Sequence, residues 1–180
     1  MKASFVFGLL SVAVALTLPT GTTQAAVAQH QFRGNAVNYC QAFTPGPANT
    51  IRNRVVGSEN VGPNPMNVAC DFHSASNGAA GATPPTEVYI YFSNNTAAAF
   101  TVSCTLLTGY QGQSSAYAVT KSAVIAAGQQ AVTSLHWDAA DNPVAGATSL
   151  GNVLVGVNCT LPVGAVINDT YLYWNMDNGV

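Results

Sequence analysis

Four tyrosines alternate with aliphatic residues in two segments of this sequence, and they are its most prominent candidate binding group. They are Tyr89 and Tyr91 in EVYIYFS and Tyr171 and Tyr173 in TYLYWNM. Successive side chains of a strand point to opposite faces, so the tyrosines share the face that the aliphatic residues leave free. If the two strands are neighbours, the phenol rings make an aromatic surface suited to a sugar or a protein. The alternative is purely structural, because tyrosine favours strands and cross-strand pairs stabilise sheets by about 0.2–1 kcal/mol.

The histidines and carboxylates show no catalytic signature. Asp71 and His73 would share one face of a strand, as would His136 and Asp138, while His30 falls near the expected new N-terminus, on a frayed tail. The sequence has no G-x-S-x-G motif, and its acids read as turn and strand-end residues rather than a glycosidase pair. We therefore predict no catalytic residues and no cofactor.

The sequence has four cysteines, which are far apart along the chain: Cys40, Cys70, Cys104 and Cys159. An even number in an exported domain indicates two disulfides, for which three pairings are possible. We prefer Cys40–Cys70 with Cys104–Cys159. A zinc site would need closely spaced ligands such as C-x2-C, so no metal site is predicted.

Residues 1–28 have the pattern of a cleavable export signal. Lys2 precedes the apolar run FVFGLLSVAVALTL, and small residues follow up to Ala28. The run is shorter than the roughly 20 residues that a spanning helix needs, which makes a membrane anchor the weaker interpretation. We expect cleavage after Ala28, with Ala25 as the alternative. Residues 29–180 would then form one domain in the periplasm or outside the cell, without a membrane span.

The charge of the chain excludes several kinds of partner. Charged residues make up 7% of the sequence, whereas ordinary globular domains have about 25%. The five Lys and Arg residues face seven Asp and Glu residues, for a net charge of −2. A nucleic acid or an anionic membrane requires a dense basic surface. We therefore expect no nucleic-acid partner and a surface of mostly uncharged polar groups.

Alternation of apolar and polar residues predicts strands along most of the remaining chain. The clearest lie at residues 87–93, 100–106, 153–161 and 166–176, and weaker ones at 51–57, 66–73, 116–125 and 130–137. Clusters of Gly, Pro and Asn separate them, and residues 75–85 read as the longest loop. This pattern predicts an all-β fold, an antiparallel β-sandwich of Ig-like or jelly-roll type with two disulfides, preceded by a signal-peptide helix.

The order of short motifs resembles a group of uncharacterised secreted proteins from proteobacteria with a four-cysteine β-sandwich pattern. These share an early cysteine, a Gly-x-x-Asn segment before a second cysteine, and two late strands that contain C-T-L. The corresponding residues here are Cys40, Gly57-Ser58-Glu59-Asn60, Cys70, Cys104-Thr105-Leu106 and Cys159-Thr160-Leu161-Pro162. The resemblance spans about residues 38–176 and departs at Asp71, where members often have proline. It implies a β-sandwich and no known activity.

We therefore expect a secreted, non-catalytic β-sandwich that binds a protein partner or a surface glycan. A pilin-like or coat-like subunit assembled by strand exchange is one alternative. Against it, a chaperone-assembled pilin usually has an aromatic residue second from the C-terminus, where this chain has Gly179. A secreted hydrolase, or an inhibitor of one, is the second alternative.

Overall fold

Two antiparallel sheets make up the fold. The computed structural model describes residues 27–43, 46, 50–72, 82–109, 114–130, 133–152 and 154–177. Most of the expected export signal, residues 1–26, lies outside these residues, and so does the helix predicted for it. In the part of the chain that is described, no helix is both long enough and apolar enough to cross a membrane.

The first sheet has six strands. Their bounds are β1 Val27–Asn35, β3 Ile51–Arg54, β4 Gly57–Asn60, β6 Ala82–Asn94, β9 Thr133–Asp138 and β11 Ala165–Asp177. Their order is β3-β4-β11-β6-β9, and β1 pairs with β11 on the same edge as β4 but further along the strand. The last strand, β11, is therefore central to this sheet.

The second sheet has five strands. Their bounds are β2 Cys40–Ala42, β5 Met66–Phe72, β7 Phe100–Thr108, β8 Tyr117–Ile125 and β10 Val155–Leu161. They lie in the order β2-β5-β10-β7-β8. A four-residue helix, α1 (Ala36–Tyr39), connects β1 to β2, and the side chain of Asn35 caps it by accepting a hydrogen bond from the Val37 amide.

The core lies between the two sheets and uses the alternation that the sequence indicates. In β7, Val102, Cys104 and Leu106 are buried while Thr101 is exposed, and β6 and β11 bury Ile90 and Leu172. The inward side chains of both sheets belong to one continuous cluster. Each large aliphatic side chain buried in this way contributes roughly 1.5–3 kcal/mol. The predicted all-β sandwich is confirmed.

Both disulfides join directly opposed residues on neighbouring strands of the second sheet. Cys40 faces Cys70 across β2 and β5, and Cys104 faces Cys159 across β7 and β10, with Cα atoms 4.0 Å apart in each pair. These are the pairs preferred from the sequence. Such bridges are typical of oxidising compartments outside the cytoplasm.

The first described strand corrects the expectation of a frayed tail. β1 pairs with β11 along its whole length, from Val27 opposite Asp177 to Asn35 opposite Asp169. His30 lies opposite Trp174, and their rings stack with centroids 6.0 Å apart. A docked strand at this edge also counts against the pilin-like alternative, in which a subunit is completed by strand exchange.

Two further segments differ from the prediction. Residues 51–57 were expected to be a single strand, but β3 and β4 form a hairpin that turns at Val55 and Val56. The predicted loop at 75–85 ends earlier than expected, because β6 already begins at Ala82. A valine pair is not a usual turn signal, which is why the pattern read as a continuous strand.

The Gly-x-x-Asn motif is strand β4, and all four of its residues are buried. Gly57 has a φ of +147°, and a Cβ there would collide with the carbonyl oxygen of Ile167 on β11. The Glu59 carboxylate, 4% exposed, accepts from Arg52 Nη2 at 2.7 Å and from Arg54 Nε at 2.5 Å. Asn60 Nδ2 donates to the carbonyl of Leu161 at 2.9 Å. The motif thus has a structural role.

Candidate functional site

The outer face of the first sheet brings the four tyrosines together. β6 and β11 are neighbours, and Tyr89 lies directly opposite Tyr171 in their register. Tyr91 and Tyr173 flank this pair on the same side of the sheet, away from the core. All four side chains are half-buried. We call this surface, made of Tyr89, Tyr91, Tyr171 and Tyr173, the tyrosine face.

The four rings contact one another. Along each strand the rings are nearly parallel, with centroids 6.3 Å apart for Tyr89 and Tyr91 and 6.5 Å apart for Tyr171 and Tyr173. Between strands the contacts are tilted: Tyr91 and Tyr171 are 5.2 Å apart, and Tyr89 meets Tyr173 edge to face at 5.8 Å. Edge-to-face and offset pairs of this kind are favourable, so the rings hold one another in place.

One border of the tyrosine face is formed by His136 on β9 and Glu87 on β6. The His136 ring lies 4.0 Å from the Tyr89 ring with planes 8° apart, a distance at which parallel rings must be face to face. The Tyr89 hydroxyl donates to Glu87 Oε2 at 2.7 Å. Burial, followed by this hydrogen bond and the charge of Glu87, raises the pKa of Tyr89 well above its usual value.

The opposite border is formed by Arg33 on β1 and Asp169 on β11. The guanidinium carbon of Arg33 lies 4.8 Å from the centre of the Tyr171 ring, and Arg33 Nη2 is 3.6 Å from Asp169 Oδ2. Burial raises the pKa of Tyr171, the Arg33 charge opposes this, and Asp169 adds to it, for a net increase. Sequence reasoning missed Arg33 because it did not assign β1 as a strand.

The His136–Glu87 pair is the arrangement nearest to a catalytic one. His136 Nε2 is 3.3 Å from Glu87 Oε2. The contact lacks hydrogen-bond geometry, and His136 Nε2 has no other hydrogen-bond partner among the described residues. A hydrolase of the Ser-His-Asp kind needs a hydroxyl nucleophile on the imidazole nitrogen that does not face the acid. Here the acid faces Nε2 and the ring itself lies against Tyr89. Both members of the pair contact Tyr89, Glu87 through the phenol oxygen and His136 through the ring face.

Of the remaining candidate residues, Asp138 borders the tyrosine face, because it lies opposite Glu87 and on the same side of β9 as His136. Asp71 is exposed on the second sheet, His73 is outside the described residues, and Asp138 caps the 3-10 turn Ala139–Asp141 by accepting from the Ala140 amide. The described residues contain no group of three or more His, Cys, Asp or Glu side chains placed to hold a metal ion.

Comparison with known proteins gives one distant match. No protein-family model and no curated protein matches this sequence. Among solved structures, the chain is similar to TmCBM61 in complex with β-1,4-galactotriose, at 5% sequence identity with a TM-score of 0.31, over 82% of this chain and 88% of that chain. Any role of the tyrosine face has to be argued from its own contacts.

Proposed function

We propose that this chain is a non-catalytic binding protein, exported to the periplasm or the cell exterior, that contacts a protein partner through the tyrosine face. The observation that carries the proposal is the packing of the rings. His136 covers one face of Tyr89, and Arg33 covers a face of Tyr171. Ring edges and phenol oxygens are then what a partner would contact.

This packing favours a protein over a sugar. A sugar binds an aromatic side chain mainly by stacking on an open ring face, because that face carries the negative part of the ring quadrupole. The two opposed rings, Tyr89 and Tyr171, have a neighbour on one face and tilted tyrosines beside them. A protein surface can pack against edges and accept or donate hydrogen bonds at the hydroxyls.

The composition of the surface supports the same conclusion. Tyrosine and arginine are enriched among the residues that dominate the energy of protein interfaces. Arg33 is already paired with Asp169, and the Glu87 carboxylate already accepts a hydrogen bond from the Tyr89 hydroxyl, so the charged groups at both borders have described partners before association. The ring contacts also order the side chains before binding, which reduces the entropy lost on association.

Site-specific crosslinking tests the proposal. In the test variant, photoreactive benzoylphenylalanine replaces Gln31, an exposed residue of β1 that lies opposite Tyr173 of β11. In the control variant it replaces Ser122, which is exposed on the second sheet. With secreted and envelope proteins of the producing organism, we expect a discrete crosslinked protein from the Gln31 position only. Tyr91→Ala with Tyr173→Ala should weaken binding by about 30-fold or more. These two leave the Tyr89–Glu87 and Arg33–Asp169 pairs in place.

A glycan array, probed with the parent and the same variants, tests whether the tyrosine face binds a glycan instead of a protein. Array binding that Tyr91→Ala and Tyr173→Ala abolish, without a protein crosslink, would replace the protein partner with a glycan. Equal crosslinking from the Gln31 and Ser122 positions would show that the tyrosine face has no special role. Thr101→Ala, an exposed change on the second sheet, is the matched control and should leave binding unchanged.

A further inference from the structure

The outer face of the second sheet contains a groove that the tyrosine face does not involve. It has a volume of about 580 Å³ and crosses the strands β2, β5, β10 and β7. The residues that define it are Gln41, Phe43, Ala69, Asp71, Leu107 and Gly156. Because it lies on the opposite side of the sandwich, a ligand there would not compete with one on the tyrosine face.

Small residues make the floor of the groove. Gly156 on β10 lies between Asp71 on β5 and Leu107 on β7 in the strand register, and Ala69 lies beside them. A Cβ added at Gly156 would be 3.4 Å from Asp71 Oδ1. The carboxylate of Asp71 therefore leans over the space that the missing side chain leaves open.

Asp71 is the one uncompensated charge on this sheet. Among the described residues of its five strands, the other charged residue is Lys121, and Lys121 Nζ binds the carbonyl of His136 and Asp141 Oδ2, both at 2.7 Å. No described cation pairs with Asp71. In the same groove, Asn158 Oδ1 is buried and has no hydrogen-bond partner among the described residues.

Two exposed apolar side chains border these acceptors. Phe43 is 65% exposed and Leu107 is 49% exposed, and the Phe43 amide is fixed by a hydrogen bond to the carbonyl of Asn67 at 2.9 Å. The groove thus combines an unpaired carboxylate, a buried amide oxygen beneath its floor, an aromatic ring and an aliphatic wall. Carboxylate and amide oxygens accept hydrogen bonds and so select a ligand that donates them.

We propose that this groove binds a primary ammonium group on an aliphatic chain, with the ammonium at Asp71. An ammonium donates three hydrogen bonds and forms a charge-assisted bond with a carboxylate. The aliphatic chain packs against Leu107, which lies across Gly156 from Asp71 in the strand register. A lysine side chain of a polypeptide and a free diamine both have this chemistry.

A titration followed by amide NMR shifts tests the proposal. The probes are Nα-acetyl-lysine methylamide for a polypeptide lysine, cadaverine for a free diamine, and Nα-acetyl-norleucine methylamide as the uncharged comparison. We expect at least one amine probe to shift the amides of Asp71, Gly156 and their strand neighbours, and the norleucine probe to leave them unchanged. The amine that binds more tightly identifies the source.

Three variants locate the site. Asp71→Asn removes the charge with almost no change in shape and should weaken amine binding about tenfold or more. Asp141→Asn removes one charge at the 3-10 turn, away from the groove and from the tyrosine face, and should leave amine binding unchanged. Gly156→Val fills the floor and should abolish binding. Since Asp71→Asn changes only an exposed side chain, it decides the test even if Gly156→Val folds poorly.

Several results would overturn the proposal. These are no shift with either amine, equal binding of the norleucine probe, or equal weakening by Asp71→Asn and Asp141→Asn. None of them bears on the tyrosine face, whose crosslinking test uses the opposite sheet.

Discussion

Tyr89 and His136 stack face to face across β6 and β9, with ring centroids 4.0 Å apart and planes 8° apart. Glu87 completes the group: its Oε2 accepts a hydrogen bond from the Tyr89 hydroxyl, with the two oxygens 2.7 Å apart. Burial raises the pKa of this phenol, and its hydrogen bond to Glu87 adds to the effect, because ionisation would place two negative charges side by side. The geometry of the tyrosine face is thus coupled to pH in the alkaline range.

The raised pKa of Tyr89 predicts a specific loss of stability in alkali. The unfolded chain releases this proton near pH 10 while the folded protein retains it. The contribution of this protonated phenol to the free energy of unfolding is therefore complete below pH 10. It is lost as the pH rises, at up to about 1.4 kcal/mol per pH unit. Urea unfolding at pH 8 and pH 11 measures it. Tyr89→Phe should lose less stability over this interval than the parent, and equal losses would contradict the assignment.

The Glu59 carboxylate predicts an effect at the acid end of the range. Burial raises its pKa, but hydrogen bonds from Arg52, Asn95 and Arg54 outweigh this and leave the pKa lowered. The ionised Glu59 carboxylate contributes fully to the free energy of unfolding above the pKa of the unfolded chain, near 4.3. This contribution is lost as the pH falls through the pKa of the folded protein. Glu59→Gln should cost about 1–3 kcal/mol at pH 7.

Chemical denaturation of the Glu59→Gln variant and the parent between pH 7 and pH 3 tests this sign. The difference in unfolding free energy should shrink as the pH falls. Asp71→Asn, which removes a carboxylate that has no described cation partner, is the control. A gap between Glu59→Gln and the parent that stays constant down to pH 3 would refute the prediction.

The two disulfides should differ in how readily they are reduced. Cys40 lies on β2, a three-residue strand at the edge of the described sheet, where β5 is its neighbour. Cys104 and Cys159 lie on β7 and β10, which have neighbours on both sides. Because edge strands open locally at lower cost than central ones, Cys40–Cys70 should be reduced first.

Limited reduction with dithiothreitol, followed by alkylation and peptide mapping, gives the order. Removing the second bridge by Cys104→Ala with Cys159→Ala should lower the unfolding free energy by about 4 kcal/mol, as expected for a loop of 55 residues. Labelling of Cys104 before Cys40 would contradict the predicted order.

The pairing of β1 with β11 predicts the mature N-terminus. Cleavage after Ala28 would remove Val27 and Ala28, which face Asp177 and Met176. Cleavage after Ala25 keeps the whole strand, so we expect the exported protein to begin at Ala26. The intact mass of the secreted protein decides between the two positions, and a chain that begins at Gln29 would rule out our choice.

The strands that carry a regular apolar pattern were predictable from the sequence. β7 and β10 place Val, Cys and Leu at every second position, and both were expected close to their observed bounds. The tyrosine face followed from the same alternation, conditional on β6 and β11 being neighbours. What alternation cannot give is which strands pair, because that depends on the whole sheet.

The missed elements lack that pattern for physical reasons. The inward positions of β1 include His30 and Gly34, neither of which reads as apolar core. Strand β4 buries Ser58, Glu59 and Asn60, whose desolvation is offset by hydrogen bonds to side chains of the adjacent strand β3 and to more distant residues. Such compensation is invisible until the three-dimensional contacts are known. The contacts of Arg33 with Tyr171 and of His136 with Tyr89 likewise could not be predicted without knowing which strands pair.

The position of β11 in the sheet also governs when this polypeptide can fold. β11 is the last strand to be synthesised, yet it holds together β1, β4 and β6, whose residues come from the early and middle parts of the chain. A nascent chain therefore cannot close the first sheet before β11 has left the ribosome. The proposed export would benefit from this timing, since a translocase takes its substrate as an extended chain.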